Sequence, residues 1–392
     1  MTFRSAFRFG VGVLLLAVVG CAPQPVRTPA PLPQPPAGGE EGVTLFPASF
    51  ADLPGWGVDR AAQALPAFQK TCERLTRQPP DKSVGFDGMG GTVRDWLGPC
   101  SAARRLPQHD DQTTRSFFEG WFDPYLVTAS GRAEGTFTGY YEPELRGSRT
   151  RKGRFTVPIL GKPRDLVVQG GVVGRMSGGR MIPYPSRAEI EAGSLGALAP
   201  AIAWVEDPVD AHILHIQGSG RLIMDDGSLI RLGVAGTNGH KFVGIGRLMR
   251  ERGLINDVSM PSIRAWLKAH PAEARALMAE NPRYVFYRVV TGEGPVGSEG
   301  VALTPERSLA VDPRFIPLGV PLFLDTVTPA GQPLQRLVMA QDTGGAIKGV
   351  VRGDFFWGRG EDAFQTAGRM KSTGRYWVML PRARSPRVAS SD

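Results

Sequence analysis

Between about Thr136 and Arg231 the chain consists of short apolar runs, each cut off by glycine, proline or aspartate: "FTVPIL", "DLVVQGGVVG", "AHILHIQGSGRLIM" and "SLIRLGVAG". Runs of this length with such punctuation predict short strands of a small barrel or sandwich. Fifty glycines and 34 prolines spread the same turn chemistry over 392 residues, which disfavours a helical bundle. Strands resume at "YVFYRVV", "PLFLDTV" and "RLVMAQD", and "RYWVMLP" closes the pattern. Helices are expected at 59–77, at 112–122 (with Phe117, Phe118 and Trp121 on one apolar side) and at 241–252. The segment 261–280 reads as two helices, because Pro271 suits only the first turn of the second. A last helix is expected near 361–372, with Ala363, Phe364, Ala367 and Met370 on one face and Gly374 as its cap. The length suits two packed domains, one inserted in the other.

The first residues set the compartment. Arg4 and Arg8 precede a short apolar core ending in Val18-Val19-Gly20-Cys21, too short for a membrane span. Residues 1–20 read as a signal peptide, and the ending resembles a bacterial lipobox with lipid carried on Cys21. Ala22, where an aspartate would favour the inner membrane, points to the periplasmic face of the outer membrane. Residues 21–44 supply the lipidated cysteine and a Pro-rich tether, which as polyproline II spans roughly 60 Å at about 3.1 Å per residue. An exported chain meets an oxidising environment, so Cys72 and Cys100 are expected to pair. The tail at 382–392 reads as disordered.

Signal-peptide removal takes two arginines and no acid, lowering the net charge from +9 to +7. This suits an acidic polymer or surface. The basic residues are scattered, which argues against nucleic acid. No zinc spacing is evident: His212 and His215, read as part of a strand, fall on opposite faces, and the other histidines are distant in sequence. No metal or cofactor is expected. Gly218-Ser219-Gly220 lacks the spacing of a nucleophile elbow.

"AQDTGGAIKG" (340–349) contains the Asp-Thr-Gly triplet of aspartic proteases. Such enzymes need two triplets, because two carboxylates share one proton. One copy leaves only a homodimeric peptidase, and this chain is long for that. Asp342 nevertheless follows a strand and precedes two glycines, which permit close approach of a ligand. Asp312 in "AVDPRFIPLG" and Asp354 in "GDFFWGRG" lie in similar glycine and apolar surroundings. Apolar neighbours raise a carboxyl's proton affinity, as a general acid requires.

Together, "VDPRFIPLG", "AQDTGGAIKG", "GDFFWGRG" and "AGRMKSTGRYWVMLP" resemble the domain named for its three aspartates, a double-psi β-barrel. Upstream, "GYYEPELRGSRTRKGRFTVPILGKP", "YPSRAEIEAG", "AWVEDPVDAHILHIQGSGRL", "GTNGHKFVGIGRL" and "NPRYVFYR" resemble the membrane-bound lytic murein transglycosylase A family. The resemblance runs from about residue 45 to 381. It implies a mainly β fold with flanking helices: a double-psi barrel from 45–138 and 283–381, a smaller β-barrel-like domain inserted at 139–282, and a groove between them.

The implied reaction is non-hydrolytic cleavage of the β-1,4 bond between N-acetylmuramic acid and N-acetylglucosamine in peptidoglycan, leaving 1,6-anhydro ends. Asp342 matches the family's catalytic aspartate, and Asp312 and Asp354 are supporting acids. Tyr141, Glu142, Gln217, Ser219, Asn238 and Lys348 are the expected contacts to glycan strands. As a strand pair, Tyr140 and Tyr141 point opposite ways, so only one of them faces the groove. The expected state is a monomer. Two other readings stand beside this one: a glycan-binding lipoprotein without activity, and the peptidase.

Overall fold

The computed structural model describes residues 1–2, 42–85, 88–107 and 109–382. The expected signal peptide beyond residue 2, lipidated Cys21, the tether to residue 41 and the tail beyond 382 lie outside the described residues. β1 (Val43–Pro47) leads through short 3-10 turns into α1 (Leu65–Leu75), α2 (Val93–Ala103) and α3 (Asp111–Trp121), then β2 (Phe122–Ala129) and β3 (Gly135–Glu142). The middle of the chain begins with β4 (Glu144–Ser148), β5 (Val157–Leu160), β6 (Val167–Gln169), β7 (Val172–Ser177), β8 (Arg180–Pro183), α4 (Arg187–Glu191) and β9 (Ala201–Val205). It continues through α5 (Pro208–Gln217), β10 (Gly220–Met224), β11 (Leu229–Thr237), α6 (Ile245–Glu251), α7 (Met260–Ala269), α8 (Pro271–Ala279) and β12 (Val285–Val290). The last part is β13 (Ser308–Ala310), β14 (Pro321–Val327), β15 (Pro333–Asp342), β16 (Arg352–Arg359), α9 (Gly360–Ala367) and β17 (Lys371–Pro381).

The first sheet closes on itself. Its ring runs β17–β14–β15–β13–β16–β3 and returns to β17, with β2 and β1 added outside β17. Two of the ring pairings, β13–β15 and β16–β3, are parallel, and the others are antiparallel. A closed ring leaves no open edge and gives each strand one inward face. Phe137, Leu309, Phe355 and Tyr376 fill the interior, Phe323 packs on the opposite face of the sheet against Trp56, and α1 and α2 add Phe68 and Trp96 to the same core. A Cys72–Cys100 disulfide joins α1 to α2. This is the double-psi barrel that the three-aspartate segments imply.

The second sheet runs β12–β11–β10–β4–β9–β5, and a parallel bridge from Gly161 to Tyr287 brings its two ends together. β6–β8 form a separate three-stranded sheet. Between the two larger sheets lies a helical cluster in which Tyr141 and Phe364 meet Ile213, Met249, Leu267 and Leu277. Both sheets belong to one compact unit. No helix among the described residues is long and apolar enough to cross a membrane.

Three expectations require correction. "AHILHIQ" is not a strand but most of α5: Asp207 caps its first turn by accepting from Val209 N and Asp210 N, Pro208 occupies N1, and Gly218 ends it in the left-handed region. His212 and His215 therefore share a helix face. α2 was not foreseen, although Thr92 and Asp95 form a capping box at its start. Gly374 does not cap a helix. It lies in β17 opposite Gly135, where a Cβ would come within 2.6 Å of the Thr326 side chain.

Candidate active site

β13 is short, and the pairing around it assembles the site. Ala310 is in register with Asp342 of β15 on one side and with Asp354 of β16 on the other. Asp354 is in turn in register with Thr138 of β3. Three neighbouring strands thus deliver two of the three aspartates to one level of the barrel, although twelve residues separate them in sequence.

Asp342 ends β15, and the two oxygens of its half-buried carboxyl are treated differently. Oδ1 accepts from Ser298 N (2.9 Å), Ser298 Oγ (3.0 Å) and Thr343 N (2.9 Å). Among the described residues, Oδ2 accepts from the Tyr140 hydroxyl alone, at 3.1 Å. Three donors favour charge on Oδ1, so a proton on this carboxyl belongs on Oδ2. Burial raises the proton affinity of Asp342, and the bonds from Ser298, Thr343 and Tyr140 oppose that rise. The segment carrying Ser298 lies against β15 because residue 297 is glycine: a Cβ there would sit 2.3 Å from the Gln341 carbonyl oxygen.

Asp354 accepts from Thr138 Oγ1 at 2.5 Å. Its pKa is raised to about 6, first by burial and further by the charge of Asp342, while Thr138 and Arg352 pull it down. Asp312 is different in kind. Its buried carboxylate binds the Arg314 guanidinium (2.6 Å to Nη2) and accepts from Gly349 N at 2.9 Å. Arg314 lowers its pKa to about 2. Asp312 therefore stays ionised and ties the 343–349 loop, with exposed Lys348, to the segment after β13.

The expected glycan contacts divide. Gln217 and Ser219 are half-buried at the end of α5, with Gln217 Oε1 accepting from Tyr141 N at 3.3 Å. Tyr141 does not reach Asp342: its ring is packed against Phe364 (centroids 5.3 Å apart), and the alternate residue Tyr140 takes that place. Glu142 is buried and paired with Arg231 at 3.1 Å, tying β3 to β11. Asn238 is also buried. Its amide donates to Pro185 O and Pro282 O and accepts from Tyr284 N, which occupies it as a clamp between chain segments. Ser298, Thr138 and Thr343 were missed as site residues. Thr138 and Tyr140 are two apart on one strand and so share a face, a signal present in "GTFTGYYE". Ser298 lies in a loop with no such periodicity.

A family model described as the MltA specific insert domain matches residues 136–288, and one described as the 3D domain matches 307–380. The membrane-bound lytic murein transglycosylase A of Escherichia coli strain K12 is 36% identical over 322 residues, covering 80% of this chain and 81% of that protein. The chain belongs to the membrane-bound lytic murein transglycosylase A family. The crystal structure of MltA from Neisseria gonorrhoeae, 35% identical, matches with a TM-score of 0.76 over 90% of this chain and 99% of its own. Escherichia coli MltA with bound chitohexaose, 28% identical, matches with a TM-score of 0.62 over 88% and 95% of the two chains. In this family member, the two domain models fall on the middle sheet with its helices and on the last strands of the closed ring.

Proposed function

We propose that this chain is a peptidoglycan lytic transglycosylase in which Asp342 acts as both acid and base. The observation that carries the reading is the asymmetry of the Asp342 carboxyl: among the described residues, Oδ1 is taken by three donors, while Oδ2 has one partner, the Tyr140 hydroxyl. Family membership supports the substrate class, and the chitohexaose bound to Escherichia coli MltA supports a glycan chain as the ligand.

In the proposed reaction Oδ2 gives its proton to the oxygen of the β-1,4 bond between N-acetylmuramic acid and N-acetylglucosamine as that bond breaks. The C6 hydroxyl of the muramic residue then attacks C1 and returns its proton to Oδ2, leaving a 1,6-anhydro end. Because the nucleophile belongs to the same sugar, its effective concentration is high and a second protein carboxylate as base is unnecessary. Asp354 supports the protonated state of Asp342 through its charge, and Asp312 holds the neighbouring loop. Gln217, Ser219 and Lys348 remain the proposed glycan contacts.

The proposal extends to the setting. The barrel of 45–138 and 283–381 and the insert of 139–282 act as two domains about a substrate groove. The enzyme is membrane-associated, as the family name indicates, through lipid on Cys21 at the periplasmic face of the outer membrane, and it works as a monomer.

The test is incubation of the chain from residue 21 onward, with Cys21→Ser, with purified peptidoglycan. Fragments lighter by one water than hydrolysis products are expected by mass spectrometry, and Asp342→Asn should abolish them. Hydrolytic ends would require a second carboxylate and overturn the single-acid mechanism. Binding without cleavage would return the glycan-binding reading.

A further inference from the structure

Ser298, which holds Oδ1 of Asp342, is one of the two central residues of a tight turn. Gly300 N donates to Gly297 O (2.8 Å) and Gly297 N donates to Val301 O (3.0 Å), closing the turn around Ser298 and Glu299. The two residues meet the end of β15 in step. Ser298 N donates to the Asp342 carboxyl at 2.9 Å, and Glu299 N donates to the Gln341 carbonyl at 3.0 Å. Ser298 itself is exposed, whereas Glu299 is 1% exposed and reaches beneath the turn to α1.

The Glu299 carboxyl ends among groups that tie α1, β13 and β15 together. Thr71 Oγ1 of α1 donates to Oε2 at 2.9 Å. Gln341 of β15 donates through Nε2 to Thr71 Oγ1 (3.0 Å) and to Ala67 O (2.8 Å), and its Oε1 accepts from Ser308 Oγ of β13 at 2.7 Å. Thr71, Ser308 and Gln341 are fully buried. The fit is close: a Cβ on Gly319 would come within 2.8 Å of Glu299 Oε1 and 3.0 Å of the Thr71 side chain. A run of side chains thus leads from β13 through Gln341 and Thr71 to Glu299. One peptide unit separates Glu299 from the donor on Asp342.

The second oxygen of Glu299 is unanswered. Oε1 has no hydrogen-bond partner among the described residues, and the Arg74 guanidinium stops 4.0 Å away. Arg74 is the charged group that acts on this carboxyl; otherwise α1 turns Thr71 to it, β15 turns Gln341, and the segment before β14 turns Gly319. Burial outweighs these partners and raises its pKa to about 7. A neutral carboxyl fits such surroundings, but a carboxylate with one bare oxygen does not.

We propose that Glu299 is a positioning residue for Asp342: anchored through Thr71 and Gln341, it sets the 297–301 turn so that Ser298 keeps both donors on Oδ1. The neutral carboxyl holds the turn. Once ionised, it is drawn towards Arg74 and solvent, and the turn moves with it. The bearing on turnover rests on Asp342 being the acid; the placement of Ser298 does not.

The experiment follows the Ser298 amide proton by ¹H–¹⁵N NMR in the Cys21→Ser chain from residue 21 onward, from about pH 5 to about pH 9. A hydrogen bond to a carboxyl oxygen moves that proton downfield. In the parent the downfield signal should move upfield in a step centred near pH 7. The step should remain in an Asp342→Asn background, which keeps an oxygen for Ser298 and removes the titration of the acid. Glu299→Ala should lose the downfield signal at every pH and lower kcat about tenfold or more, with KM little changed, because the Ser298 bonds are lost. Glu299→Gln, the neutral isostere, should restore both the signal and the turnover and should lack the step. If Glu299→Ala does not fold, the glutamine variant decides alone. A step that persists in Glu299→Gln, or a Ser298 signal without a step in the parent, overturns the proposal whatever becomes of Asp342. A step lost in Glu299→Gln while Asp342→Asn still turns over sustains the placement of Ser298 and removes Asp342 as the acid instead.

Discussion

Asp342 and Asp354 are in register with the same residue, Ala310, from opposite sides of β13. Their backbones are therefore two strand spacings apart, about 10 Å. The two carboxyls share a field: the charge of Asp342 raises the pKa of Asp354. By reciprocity, an ionised Asp354 favours the protonated form of Asp342, the form that donates to a leaving oxygen.

Replacement of Asp342 by asparagine keeps the oxygen held by Ser298 and Thr343 and removes the proton. kcat on peptidoglycan is expected to fall by roughly 10²–10⁴-fold, the usual contribution of a general acid. Glycan affinity should change little. Turnover within tenfold of the parent would exclude Asp342 as the acid.

Asp354→Asn removes the neighbouring charge, and with it a carboxyl whose pKa is about 6. The proton on Asp342 is then less well held. The alkaline limb of the pH–kcat profile is expected to move to lower pH, with KM little changed. An unmoved limb would show that the two groups titrate independently.

Ser298→Ala deletes the 3.0 Å hydroxyl bond to Asp342 but leaves the backbone donor. A hydrogen bond to a charged group is worth about 1.5–3 kcal/mol. kcat should fall by about ten- to a hundredfold if that bond orients the acid in the transition state. A rise in KM at constant kcat would place Ser298 in substrate binding instead.

Glu299, beside Ser298, is buried with its pKa raised to about 7, chiefly by desolvation. Its folded value lies above the ordinary 4.5, so the folded state binds this proton more tightly than the unfolded state. The resulting stability is complete below about pH 4.5 and is lost as pH rises through 7, a change of roughly 3 kcal/mol. Glu299→Gln should lack this dependence. Urea unfolding at pH 5 and pH 8 is expected to show the variant gaining on the parent at the higher pH. Parallel changes in the two proteins would remove Glu299 as the cause.

The Cys72–Cys100 bond closes a loop with a sequence separation of 28. Loop entropy gives it about 3–4 kcal/mol. A Cys72→Ala/Cys100→Ala chain is expected to unfold at correspondingly lower urea concentration. An unchanged midpoint would show that the α1–α2 contact alone suffices.

The motif around Asp342 and the strand-rich pattern were legible in the residues, because both are local. The same pattern misled at α5, where Asp207, Pro208 and Gly218 outweigh an apolar run that looks like a strand. Site contacts fared less well. Glu142 and Asn238 have the chemistry of sugar ligands, but their partners, Arg231 and the carbonyls of Pro185 and Pro282, come from distant segments. No local rule reveals that such a group is already occupied.

The sequence by itself determined that the chain is mainly β, that Asp342 follows a strand and meets two glycines, and that Tyr140 and Tyr141 diverge. These follow from turn chemistry and from the two-residue period of a strand. Tertiary structure decided which tyrosine reaches Asp342, that Ser298 holds its Oδ1, and that Asp354 shares its level while Asp312 is bound to Arg314. Those contacts depend on strand register across a closed ring, where residues far apart in sequence meet and a one-residue slip turns every side chain to the other face.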